Sequence, residues 1–79
     1  MIGVRVRLTF PDELVRQPIV ARLVSELGVM ANIRRADVGE HEGWMVCELE
    51  GDPDAVDRGL GWLRTEGVQV DLLGDIVES

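Results

Sequence analysis

An α+β domain of strand–helix–strand–strand–helix–strand order is predicted for this chain by two observations. Runs in which apolar residues alternate with polar ones flank two runs with apolar residues at helical spacing, and the two halves share one grammar. In each half the helical stripe stops at a Gly-Val pair, Gly28-Val29 and then Gly67-Val68, where a strand begins.

Val4, Val6, Leu8 and Phe10 alternate with Arg5, Arg7 and Thr9, which predicts a first strand with one buried face, closed by Pro11. After the polar stretch Asp12 to Gln17, Pro18 fits the first turn of a helix, where its missing N–H is harmless. Ile19, Val20, Leu23, Val24 and Leu27 form that helix's apolar stripe, and Gly28 supplies a left-handed stop. A second strand is expected over about 29–38. Ile33 and Val38 differ in parity, so a bulge or an early end is expected near Arg34-Arg35. Gly39 to Gly43 forms a polar turn into a third strand, Trp44 to Glu50, with Met45, Cys47 and Leu49 on one side.

Gly51-Asp52-Pro53 reads as the N-cap and first position of a second helix, with Asp54 and Asp57 placed to favour its dipole. Val56, Leu60 and Leu63 are its buried stripe, with Trp62 at the edge. Val68, Val70 and Leu72 predict a fourth strand. The resulting βαββαβ order is ferredoxin-like: a four-stranded antiparallel sheet with two helices on one face. Residues 1–79 are read as one domain, its core about 3–74 and its tail 75–79.

A chain of 79 residues buries only about 60% of its unfolded surface, so association of subunits is expected. The net charge of −7, with all eight cations arginine, disfavours nucleic acid and anionic membranes. No apolar run reaches the roughly 20 residues that span a bilayer, and no signal-peptide pattern opens the chain, so a cytoplasmic location is expected. Cys47, the single cysteine, forms no internal disulfide.

The sheet face away from the helices carries Arg5, Arg7 and Thr9 on the first strand and Trp44, Val46 and Glu48 on the third. Arg5 or Arg7 is expected to pair with Glu48, leaving Trp44 and Val46 as apolar surface. Either this face (Arg5, Arg7, Trp44, Val46) receives a second copy, or Trp44 merely lies over the hairpin turn.

The pieces Val6-Arg7-Leu8-Thr9-Phe10, Pro18-Ile19-Val20, Leu23-Val24, Leu27-Gly28-Val29, Asn32-Ile33, Leu49-Glu50-Gly51, Leu63, Gly67-Val68 and Val70 together resemble the NIL domain, named for an Asn-Ile-Leu tripeptide. Members of that family occur as the C-terminal domain of methionine-importer ATPase subunits, fused to iron–sulfur segments, or alone; the chain is read as a standalone copy. The resemblance implies a regulatory domain of which paired copies bind methionine and hold a transporter inhibited. Here Arg34 replaces the motif's Leu. No Gly-x-x-x-x-Gly-Lys-[Ser/Thr] loop occurs within these residues, and no Cys-x-x-Cys pair, so neither ATP hydrolysis nor electron transfer is expected of them.

The resemblance places the methionine-contacting residue at Asn32. Its amide offers two donors and an acceptor to an α-carboxylate or α-ammonium, with Met30, Ile33 and a second subunit around the thioether. The competing role for Asn32 is to satisfy backbone groups at a bulge. His41 with Glu40 and Glu42 reads as solvated turn chemistry, Cys47 as a buried hydrophobe, and Asp52, Asp54 and Asp57 as helix-start chemistry rather than a metal site. The loop Asp12 to Gln17, with Arg16 or backbone N–H groups near Pro18, is a weaker ligand candidate. The expectation is a non-enzymatic, cofactor-free homodimer that binds L-methionine or a related sulfur amino acid. The alternative is a ligand-free assembly module for a separate transporter or sulfur-metabolism protein.

Overall fold

Alternation in the first strand divides its side chains as expected. Val6, Leu8 and Phe10 point to one face and are 0%, 0% and 6% exposed in the computed structural model, which describes residues 1–76. The elements are β1 (Ile2–Phe10), α1 (Ile19–Leu27), β2 (Met30–Val38), β3 (Gly43–Gly51), α2 (Pro53–Glu66) and β4 (Gln69–Ile76), with a 3₁₀ turn at Asp12–Leu14 between β1 and α1. The strands pair antiparallel in the order β2-β3-β1-β4, the predicted βαββαβ architecture.

Ile19 and Leu23 of α1 and Leu63 of α2 pack with Val6, Leu8, Cys47 and Leu49 into one core, so both helices cover the same sheet face. Truncating one of these fully buried side chains to alanine leaves a cavity that costs about 2–5 kcal/mol. Each helix ends as its glycine dictates: Gly28 at φ 70° and Gly67 at φ 104° occupy left-handed conformations that a Cβ disfavours. The helices meet closely because Gly59, in the middle of α2, leaves room for the Leu23 and Val29 side chains. Arg22 then joins the outer surfaces, reaching Glu26 at 2.9 Å and Glu66 at 3.2 Å and lying 5.1 Å from the Trp62 ring.

Four details differ from the sequence reading. The β1–α1 connection is no simple polar loop, because the 3₁₀ turn drives Leu14 into the core. Pro18 stands at the N-cap of α1 rather than inside its first turn. Asp52 occupies the N-cap of α2 but makes no side-chain capping bond; its carbonyl accepts the Val56 N–H at 2.9 Å. β4 runs on through Gly74 to Ile76, two residues into the stretch read as tail. A register shift against β1 and the φ of 145° at Gly74 carry the strand past that irregularity. The rest of the expected tail, 77–79, lies outside the described residues.

Candidate functional site

β2 is an edge strand that the helices leave bare. All of its residues but Ala31 are exposed, and Met30, Ile33 and Val38 are 58%, 53% and 56% accessible. The parity conflict is resolved by a bulge: pairing with β3 shifts between Ile33 and Arg35, leaving Arg34 as the extra residue. Ile33 lies opposite Cys47 and Val38 opposite Gly43, so both fall on the helix-side face.

Residues two apart share a face of a strand. Met30 and Asn32 therefore lie together on the open face, opposite Glu50 and Glu48, whereas Ile33 lies on the other side. The structure brings Asn32 and Met30 together and separates Ile33 from them. The Asn32 side chain makes no hydrogen bond to any described residue.

Beside Asn32 stands a charged cluster. Glu48 is only 8% exposed, yet one of its oxygens accepts a 2.7 Å hydrogen bond from Arg5 and the other lies 3.3 Å from the Arg34 guanidinium. The Arg5 hydrogen bond, followed by the charges of Arg34 and Arg5, holds the Glu48 carboxyl below its usual range against the opposing effect of burial. A carboxylate flanked by two guanidiniums offers both charge signs beside the Asn32 amide. Sequence reading offered Arg5 or Arg7 as the partner of Glu48, of which the structure shows Arg5, and missed Arg34 as the second cation, since its reach depends on the bulge. The usable signal was the Arg34-Arg35 pair at a parity break.

The expected interface residues share the open face but do not leave it apolar. The Arg7 guanidinium lies over the Trp44 ring at 4.7 Å, and Trp44 and Val46 are half-buried. His41 reaches from the hairpin turn to Asp12 at 3.2 Å, with both side chains exposed. Cys47 is buried, and desolvation pushes its thiol up to about 11. Among the described residues no three His, Cys, Asp or Glu side chains converge as a metal site. No helix there is long and apolar enough to cross a membrane.

An apolar cleft of about 170 Å³ opens where the β1–α1 connection meets the β2–β3 hairpin, lined by Phe10, Leu14, Val15, Val20, Val38 and Met45 among others. Gln17 and Pro18 border it, and Arg16 does not. This cleft is separate from Asn32, on the helix side of the sheet.

Fold and surface define a small α+β domain with both helices on one face of its sheet and the other face open. The chain belongs to the NIL domain family, whose pattern it matches over residues 4–71. It is 36% identical over 75 residues to the methionine import ATP-binding protein MetN of Chromohalobacter salexigens, covering 90% of this chain and 22% of the relative. It is 33% identical over 69 residues to MetN of Lacticaseibacillus paracasei, covering 82% and 20%. The chain thus spans about a fifth of the length of these relatives. Among solved structures, the C-terminal domain of an ABC transporter ATP-binding protein from Enterococcus faecalis superposes with a TM-score of 0.79 at 25% identity, covering 91% of this chain and 84% of that one.

Proposed function

We propose that this domain binds methionine or a related sulfur amino acid at an interface between two copies and reports its presence to a transporter or sulfur-metabolism partner. The observation that carries the reading is the unpartnered Asn32 amide, exposed on an edge strand beside Met30 and next to the Arg5–Glu48–Arg34 cluster. A zwitterion brings a carboxylate for Arg34 or the Asn32 N–H groups and an ammonium for Glu48 or the Asn32 carbonyl. The thioether then lies along Met30, a soft and adaptable neighbour. Ile33, on the far side of the strand, meets the second copy rather than the amino-acid head. Arg5, Arg7, Trp44 and Val46 form the surrounding surface through which occupancy reaches a partner. A ligand bound between copies favours the pair over the single chain by its differential affinity for the two states.

Calorimetric titration with L-methionine, with D-methionine and L-leucine as controls, tests this. Stereoselective binding that is lost in Asn32→Ala while the fold and thermal midpoint persist supports the reading. A well-folded protein that binds none of the three amino acids overturns it. The bare β2 edge favours a second reading, the ligand-free assembly module, in which charge reversal at Arg7 or Trp44→Ala impairs partner capture with no ligand present.

A further inference from the structure

We infer that the amino acid taken by the open face carries a second anionic group on its side chain, and that Arg35 is the residue that selects it. The inference rests on the reading that an amino acid binds at Asn32 and adds the charge that it must bear. In a regular strand residue 34 would follow Asn32 on the open face. The bulge gives that place to Arg35, which lies opposite Val46 while Asn32 lies opposite Glu48. Asn32 and Arg35 thus stand two β3 residues apart on one face, about 7 Å. The Arg34 guanidinium reaches the same face, 3.3 Å from Glu48. Four of the chain's eight cations, Arg5, Arg7, Arg34 and Arg35, therefore gather on the open face of a chain whose net charge is −7.

The hydrogen-bonding capacity left over around Asn32 is nearly all donor. Arg5 is committed to Glu48 at 2.7 Å and Arg7 to the Trp44 ring at 4.7 Å. Arg34 approaches Glu48 through Nε without a hydrogen bond, and Arg35 is in no ion pair with any described residue. Neither arginine donates a side-chain hydrogen bond to a described residue, and nor does Asn32. Glu50, opposite Met30, and Asp37, two residues beyond Arg35, both lie outside ion-pair distance of these arginines. A guanidinium is five donors and no acceptor. The α-carboxylate of a neutral amino acid occupies Arg34 and the Asn32 N–H groups, its ammonium takes the Asn32 carbonyl, and Arg35 is left beside the ligand without an anion. A carboxylate on the side chain, reaching along the strand from Asn32, meets that guanidinium in a charge-assisted, fork-shaped pair.

Two probes that differ only in the charge at the end of the thioether test this: S-carboxymethyl-L-cysteine and S-methyl-L-cysteine, titrated calorimetrically into the whole chain beside L-methionine. The diacid is expected to bind about ten- to a hundredfold more tightly than its neutral counterpart, with a preference that shrinks as salt is added. Arg35→Gln, with unchanged circular dichroism, is expected to abolish the preference while binding S-methyl-L-cysteine as the wild type does, and Arg35→Lys to keep part of it. A wild type that binds S-methyl-L-cysteine or L-methionine as tightly as the diacid overturns this inference and leaves the proposed function standing. A preference that survives Arg35→Gln, or that Arg35→Gln removes only by weakening all three ligands alike, overturns the assignment to Arg35. A folded chain that binds none of the three overturns the proposed function and this inference together.

Discussion

Arg5 and Glu48 face each other across β1 and β3 with a 2.7 Å hydrogen bond, the shortest polar side-chain contact described in the domain, and the carboxylate is far more buried than its partner. Arg34 approaches the same carboxylate from β2. The cluster thereby ties three adjacent strands together on the face that the helices do not cover.

Stability at low pH follows from that cluster. The Glu48 pKa is lower in the folded chain than in the unfolded one, first through the Arg5 hydrogen bond. Its contribution is therefore fully present above about pH 4.3 and is lost as pH falls through the lower folded value. Thermal melts of wild type and Glu48→Gln are expected to differ by several degrees near neutrality and to converge in strong acid. A constant difference at all pH values would show that the carboxylate's charge is not what the arginines stabilise.

Two glycines of α2 should respond oppositely to alanine. A Cβ at Gly61 meets nothing within 4 Å, so Gly61→Ala is expected to stabilise the domain by about 0.5–1 kcal/mol through helix propensity and reduced unfolded-state entropy. At Gly59 the Cβ would stand 3.1 Å from Leu23 Cδ1 and 3.3 Å from Val29 Cγ2, both side chains fully buried. There overpacking wins, and Gly59→Ala is expected to lose about 1–2 kcal/mol net. Chemical denaturation of the two variants checks both signs.

Periodicity made most of this architecture legible because burial here is one-sided. β1 alternates, and Gly28 and Gly67 mark both helix ends. The mismatch of Ile33 and Val38 called for a bulge or an early strand end, and the structure shows the bulge, whose extra residue returns both to one face. Leu14 escaped notice because one adjacent apolar pair, Leu14-Val15, in a short charged segment carries no period. The end of β4 escaped because Gly74 reads as a terminator, yet its positive φ lets pairing continue. Asn32 and Met30 were legible as neighbours, but their separation from Ile33 is a property of strand parity that the candidate group ignored. The β1 side of the Glu48 environment was legible as a pairing with Arg5 or Arg7, whereas its Arg34 contact was hidden because it depends on the bulged register of β2 against β3.

Cys47 should be silent to thiol reagents. It is 0% exposed, and burial pushes its thiol up to about 11, so almost no thiolate exists near neutrality. Reaction with an aromatic disulfide reagent at about pH 8 is expected to be at least about a hundredfold slower than in denaturant, and to follow the opening of the fold. Immediate stoichiometric reaction of the native chain would contradict the position of β3 in the core.

Arg34 occupies the third place of the family's tripeptide, where the motif has Leu, and the bulge explains why a long cation is accommodated there. As the extra residue it is freed from the pleat, its side chain is 60% exposed, and its guanidinium lies 3.3 Å from Glu48. With the arginine largely exposed and the carboxylate already hydrogen-bonded to Arg5, this contact contributes little, so Arg34→Leu is expected to shift the thermal midpoint by less than about 2 °C. The sharper readout is Glu48 itself. Its depressed pKa owes most to the Arg5 hydrogen bond, with Arg34 acting only through its charge. Titration of the Glu48 side-chain carbon by NMR should therefore show a small upward shift in Arg34→Leu and a larger one in Arg5→Gln. The opposite order would mean that β2, not β1, holds this carboxylate, and would make Arg34 the primary charge partner at the edge where Asn32 lies.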